Sequence, residues 1–143
     1  MKQDYKKAFD EFVKIEKDAN GYNYAQFMIG VCYYYGYGIE KDIIRAAEWY
    51  TKSTEQGHST AMVNLGYCYS NGFGVTQDLT KAFELYEQSA LLGHSMGMYG
   101  VGICYQYGTE VSRDLRKAKE WFTKAAAQRN EHAQTQLDLL NAA

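Results

Sequence analysis

Apolar and small residues recur along the chain in two superposed rhythms, a short one of three and four residues and a long one of 36. The short rhythm is helical. Ala46, Trp49, Tyr50 and Ser53 mark one face of a 3.6-residue helix, and Ala82, Leu85, Tyr86 and Ser89 repeat it. A second stripe, Ala61, Leu65, Cys68 and Tyr69, carries Gly66 on the same side, where the small Ala61 and Gly66 let two helix backbones approach closely. Between the stripes stand stop and start signals. Asp42, Asp78 and Asp114 are N-caps for the first helix, because a carboxylate accepts the orphan backbone N–H groups of the opening turn. Gly57 and Gly93 end that helix, where glycine takes the left-handed conformation at little cost. The second helix ends at Gly72, in the turn Asn71-Gly72-Phe73-Gly74-Val75.

The long rhythm ties these pieces into a repeat. A step of 36 links Gly30, Gly66 and Gly102; Gly36, Gly72 and Gly108; Asp42, Asp78 and Asp114; and Ala46, Ala82 and Ala118. Cys32, Cys68 and Cys104 keep the step, as do Tyr33, Tyr69 and Tyr105, and Trp49, Leu85 and Trp121 share a register. A lone helix pair cannot bury its apolar stripe, whereas stacked pairs bury a continuous core. The pattern therefore predicts an all-α fold: a right-handed α-solenoid, or superhelix, of about four helix-turn-helix repeats, forming one domain over residues 1–143. The pairs fall at about 3–36, 42–72, 78–108 and 114–143. The outer two are irregular, as capping repeats are. In the first (helices at about 3–18 and 22–35), Lys7-Ala8-Phe9 resembles Lys81-Ala82-Phe83, but the distance on to Gly21 is two residues longer than the matching distance to Gly93. The last pair has Arg129 and Asp138 in place of registered glycines.

The run Gly57-His58-Ser59-Thr60-Ala61, then Leu65-Gly66-Tyr67, Asn71-Gly72-Phe73-Gly74-Val75, Asp78 and Lys81-Ala82 resembles the Sel-1-like repeat family, a relative of the tetratricopeptide repeats with a longer unit. A second copy runs from Gly93-His94 to Lys117-Ala118 and a third from Gly21 to Ala46, so the resemblance covers nearly the whole chain. Two departures stand out. Glu40, Thr76 and Ser112 occupy the place where the family often has proline, and the turn Gly108-Thr109-Glu110-Val111 has lost its second glycine, which leaves the third turn free to differ in shape. The resemblance implies an adaptor: a non-catalytic scaffold that binds partner proteins or peptides along a concave groove lined by the first helix of each pair. On those helices, away from the apolar stripe, lie Glu48, Thr51 and Lys52, then Glu84, Glu87 and Gln88, then Glu120, Thr123 and Lys124. Glutamate recurs while its neighbours vary, the pattern of a recognition surface with an acidic track or of a solvated amphipathic face. A dedicated inhibitor or immunity protein that sequesters one enzyme or toxin is the alternative within binding, and an enzyme the alternative outside it.

Composition narrows the classes further. A formal charge of −2 gives no electrostatic reason to bind nucleic acid. The local excess of Arg113, Arg116, Lys117, Lys119, Lys124 and Arg129 is broken by Asp114 and Glu120 and reads as a solvated helix. No run approaches the roughly 20 apolar residues of a membrane span, which predicts no membrane insertion. The charged start leads into no apolar signal core, so the expected location is cytoplasmic, export of a longer parent aside.

Candidate chemistry is sparse, and no cofactor or metal is predicted. The Gly36-Tyr37-Gly38 and Gly72-Phe73-Gly74 segments occupy an inter-helical register with no strand before them, so they are turns and not phosphate-cradling loops. The three cysteines come one per repeat, too far apart for a disulfide or a clustered metal site, and read as buried free thiols. Their odd number favours a reducing compartment. His58 and His94 share their register with Asn130, which replaces a hydrogen-bonding role but not a metal ligand or a catalytic base. No nucleophile elbow or paired carboxylates appear, so no catalytic residue is assigned. Of the 14 tyrosines, Tyr33, Tyr69 and Tyr105 are locked in the repeat as packing, whereas Tyr34, Tyr35, Tyr37, Tyr99 and Tyr107 fit interface anchors and half-buried turn residues equally well.

Overall fold

The computed structural model describes residues 1–18 and 22–143, so the expected helix stop at Gly21 lies outside the described residues. The rest is helical: α1 (Lys2–Asp18), α2 (Asn23–Tyr35), α3 (Ile43–Glu55), α4 (Ser59–Asn71), α5 (Leu79–Leu91), α6 (Ser95–Tyr107), α7 (Leu115–Ala127) and α8 (Glu131–Ala142). No strand occurs among the described residues. The helices form two compact units, Met1–Gln77 with α1 to α4 and Asp78–Ala143 with α5 to α8, divided just before the Asp78 cap. Within each unit every helix packs on the next in sequence.

The helix boundaries follow from the capping residues. Asp42, Asp78 and Asp114 each accept the backbone N–H three residues on, from Arg45, Lys81 and Lys117, at 3.0 Å in every case. The second helices are capped by His58 Nδ1, which accepts from Ala61 N–H at 3.2 Å, by His94 Nδ1, which accepts from Met96 N–H at 3.3 Å, and by Asn130 Oδ1, which accepts from Ala133 N–H at 2.9 Å. This is the hydrogen-bonding role that the His/His/Asn register predicts. At the other end, Gly36, Gly72 and Gly108 close their helices with φ of 75°, 69° and 69°.

The stripes are largely buried, with Trp49, Tyr69 and Tyr86 half-buried. Ala46, Tyr50 and Ser53 are at most 1% exposed, and Ala82, Leu85 and Ser89 at most 6%. At Gly30 and Gly102 the glycine register meets an aromatic ring, and at Gly30 also the Ala46 carbonyl, 3.3 Å from where a Cβ would stand. A Cβ on Gly30 would stand 2.7 Å from the Tyr50 ring, and one on Gly102 would stand 2.5 Å from the Phe122 ring. These glycines make room for the aromatic ring that the following first helix drives into the pair. In the second unit that ring anchors a core of Ala90, Met98, Val101, Ala118, Phe122, Ala125 and Ala133.

Two expectations are corrected. Ala8, matched to buried Ala82 by sequence, is exposed, and Phe9 is buried in its place, against Ile29 and Cys32. Because α1 rests on α2, only the flank that faces α2 needs a large apolar residue. The third turn keeps the conformation of the others despite its lost glycine: Glu110 has φ 63°, beside 73° at Gly38 and 72° at Gly74. A hydrogen bond of 2.7 Å from Thr80 Oγ1 to Glu110 Oε2 offsets the strain of a side chain there.

Candidate functional site

On the first helices the candidate residues fall between the buried positions. On α3, Glu48 and Lys52 are exposed and Thr51 is half-buried; on α5, Glu84, Glu87 and Gln88 are all exposed; on α7, Glu120, Thr123 and Lys124 are exposed. Each triplet lies on the face of its own helix opposite the buried stripe.

What these side chains do within the fold separates them. Thr51 Oγ1 donates to Ala47 O at 2.8 Å and Thr123 Oγ1 to Lys119 O at 2.7 Å, so both hydroxyl protons are spent on their own helices. Lys52 lies over the Trp49 ring, with Nζ 4.1 Å from its centroid, and Lys124 repeats this over Trp121 at 4.4 Å. Glu120 reaches Arg116 Nε at 3.9 Å on an exposed surface, which is worth little. The side chains of Glu48, Glu84, Glu87 and Gln88 make no hydrogen bond or close ion pair among the described residues, although Glu48 shares the field of Arg45 on the same helix.

The Lys-on-Trp pair is the feature that sequence reasoning missed. Its signal was available: Glu48-Trp49-Tyr50-Thr51-Lys52 recurs two repeats later as Glu120-Trp121-Phe122-Thr123-Lys124. Trp49 and Trp121 were counted with the buried stripe, but both are half-buried and offer one indole face to the lysine. On α5 the same positions hold Leu85 and Gln88, and the pair is lost.

The other candidate groups are structural. Cys32, Cys68 and Cys104 are free and buried, and burial pushes the Cys68 and Cys104 thiols up to about 11. Tyr33 and Tyr105 pack edge-on against Phe9 and Phe83. Tyr99 lies beside Phe122, with His132 against it at 5.8 Å. Tyr35, Tyr37 and Tyr107 are exposed. Among the described residues no three His, Cys, Asp or Glu side chains gather as a metal site, and no helix is long and apolar enough to cross a membrane.

The Sel1 repeat family matches this chain three times, over residues 23–58, 59–94 and 95–130. The chain belongs to the Sel1 repeat family. The first of these segments joins α2 to α3 and the last joins α6 to α7, each a packed helix pair. Solved structures agree. A Sel1 repeat protein from Oxalobacter formigenes is 32% identical with a TM-score of 0.85, over 93% of this chain and 54% of that one. A protective antigen present in uropathogenic Escherichia coli strains, displaying the same repeat fold, is 32% identical with a TM-score of 0.86, over 93% of this chain and 28% of that one. The chain thus spans about half and about a quarter of these two proteins. Cysteine rich protein B of Helicobacter pylori, 24% identical with a TM-score of 0.72 over 94% of this chain and 96% of that one, shares the fold. The comparison with curated proteins gave no match. Sel1 repeats generally serve as protein-interaction scaffolds, and this chain is a helical repeat protein of the family.

Proposed function

We propose that this chain is a non-catalytic scaffold that holds partner proteins against the exposed faces of α3, α5 and α7. The observation that carries this reading is the exposed acidic set Glu48, Glu84 and Glu87. These carboxylates make no hydrogen bond or close ion pair among the described residues, and the opposite faces of their helices are buried in the core. Glu48 in the first unit, and Glu84, Glu87 and Glu120 in the second, each favour a partner segment rich in Lys or Arg. Beside them, the Lys-capped Trp49 and Trp121 supply apolar anchor area, because an aromatic partner residue can displace the lysine from the indole face. A formal charge of −2 argues against nucleic acid as the partner. Three buried free thiols suit a reducing, cytoplasmic setting.

The test is affinity capture with the wild-type chain and with a variant altered together at Glu48, Lys52, Glu84, Gln88, Glu120 and Lys124. A partner retained by wild type and lost by a variant with an unchanged melting curve supports the reading. A partner held equally by both moves the binding site off these faces. Turnover of a generic hydrolase substrate by the purified chain would overturn the non-catalytic part.

A further inference from the structure

Three times the turn after a second helix meets the start of the preceding first helix, and three different contacts form there. At the first junction the Tyr37 ring of Gly36-Tyr37-Gly38 stacks on Tyr5 at 4.9 Å and 14°, and Tyr35 stacks on Tyr37 at 5.3 Å. At the third, Thr80 and Glu110 close the junction with their 2.7 Å hydrogen bond. The middle junction has no such closure. There Gly74 is pressed so closely on the Ile43 carbonyl that a Cβ would collide with it, and beside this contact an open cleft of about 470 Å³ remains. Lys41, Asp42, Ile43, Ile44, Gly72, Phe73 and Gly74 line it.

The cleft is apolar where its neighbours are filled. Ile44, in the register of Thr80, is 62% exposed, which is unusual for so large an aliphatic side chain. Phe73, in the register of Thr109, is half-buried, with Tyr67 braced against its ring at 5.8 Å. Charge at the rim has one sign left over. Asp42 is engaged twice, by the N–H of Arg45 at 3.0 Å and by the Arg45 guanidinium at 3.5 Å. Lys41 has no ion-pair partner among the described residues. Glu40, the remaining acid of this segment, does not line the cleft.

We propose that this cleft is a second docking site, separate from the faces of α3, α5 and α7, for a peptide segment of a partner protein that carries an aliphatic or aromatic side chain next to a carboxylate. The side chain covers Ile44 and Phe73, and the carboxylate pairs with Lys41.

The test uses the full chain, 15N-labelled, titrated with short acetylated and amidated Gly/Ser peptides whose central pair is Leu-Asp, Leu-Lys or Ser-Asp. The Leu-Asp probe is expected to shift the amides of residues 41–44 and 72–74. Exchanging its Asp for Lys weakens binding about threefold, the value of one exposed ion pair, and exchanging its Leu for Ser weakens it roughly tenfold through lost apolar burial. Two variants address the two halves of the site. Lys41→Glu should reverse the preference, so that Leu-Lys outbinds Leu-Asp. Ile44→Thr with Phe73→Thr copies the residues of the third junction, which the fold accommodates, and should lose the probe. Shifts centred elsewhere, an unchanged charge preference in Lys41→Glu, or no saturable shift at millimolar probe would each overturn the proposal. The same amides shifting with protein concentration alone would replace it by self-association. The six-residue variant of the α3, α5 and α7 faces should bind the probe as wild type does, so the failure of one site is visible without the other.

Discussion

At Gly102 the α6 backbone stands so close to α7 that a Cβ would lie 2.5 Å from the Phe122 ring, and that ring has no exposed surface through which to move. Gly102→Ala should therefore cost about 1–3 kcal/mol, the usual cost of overpacking, measured as a lowered urea midpoint at unchanged m-value. Ala82→Arg, which places a charge at a position 2% exposed, should cost more. The glycines at 57 and 93 are of another kind. Nothing lies within 4 Å of where their Cβ atoms would be, and only their φ of 83° and 86° requires glycine. In the same register Arg129 holds φ 62° and carries the backbone strain directly. Arg129→Gly should raise stability by up to about 1 kcal/mol, and a loss of stability in that variant would mean that the arginine makes a compensating contact. Spacing put all these glycines on the page, but it could not distinguish a glycine needed for its missing side chain from one needed for its backbone angle. That distinction depends on which ring faces it.

One helix end titrates. His94 caps α6 by accepting the Met96 N–H on Nδ1, which it can do only while that nitrogen carries no proton. Burial lowers its affinity for the proton below the ordinary 6.5. The folded state thus prefers neutral His94, so the stability this gives is present above pH 6.5 and is lost as pH falls through the depressed folded value. A positive ring would also oppose the helix dipole at this end. His94→Asn, which copies the Asn130 cap of α8, should remove part of the acid-side loss of melting temperature between pH 7.5 and pH 5 while keeping the neutral-pH value. Identical acid limbs in wild type and variant would show that the cap contributes nothing. Here the sequence was nearly sufficient, because Asn130 in the histidine register already excluded metal and base roles and left capping. It was insufficient at α1, where the likeness of Ala8 to Ala82 predicts burial but Phe9 is the residue turned to the core.

Over the whole chain, the recurring positions specified the fold because each serves a contact that every repeat must make: a cap, a stop, or a ring against a glycine. Apart from the recurring Glu48, Glu84 and Glu120, the candidate binding features are departures from that register, and departures are what periodicity averages away. The Glu-Trp-x-Thr-Lys recurrence skips a repeat, and the open junction at Ile44 and Phe73 differs from its neighbours only by what fills the space. The same regularity places one thiol per repeat in the core and so predicts an alkaline limit for the entire structure. Cys68 and Cys104, ordinarily titrating at 9.0, are pushed by burial to about 11, and burial also raises the Tyr50 phenol. Folded pKa values above the unfolded ones mean that this stability is complete below pH 9 and is lost as pH rises toward 11. Urea unfolding at a series of pH values should show a steep fall across that window, and a shallower one in Cys68→Ala with Cys104→Ala, whose lower starting stability does not alter the slope argument. Parallel curves would show that the thiols ionise without opposing the fold. The same burial should leave native thiols nearly inert to a disulfide reagent at pH 8, since a thiol titrating at about 11 holds about a hundredfold less thiolate there than one titrating at 9.0. Labelling would then proceed through opening of the repeats, and its rate should rise with urea alongside unfolding.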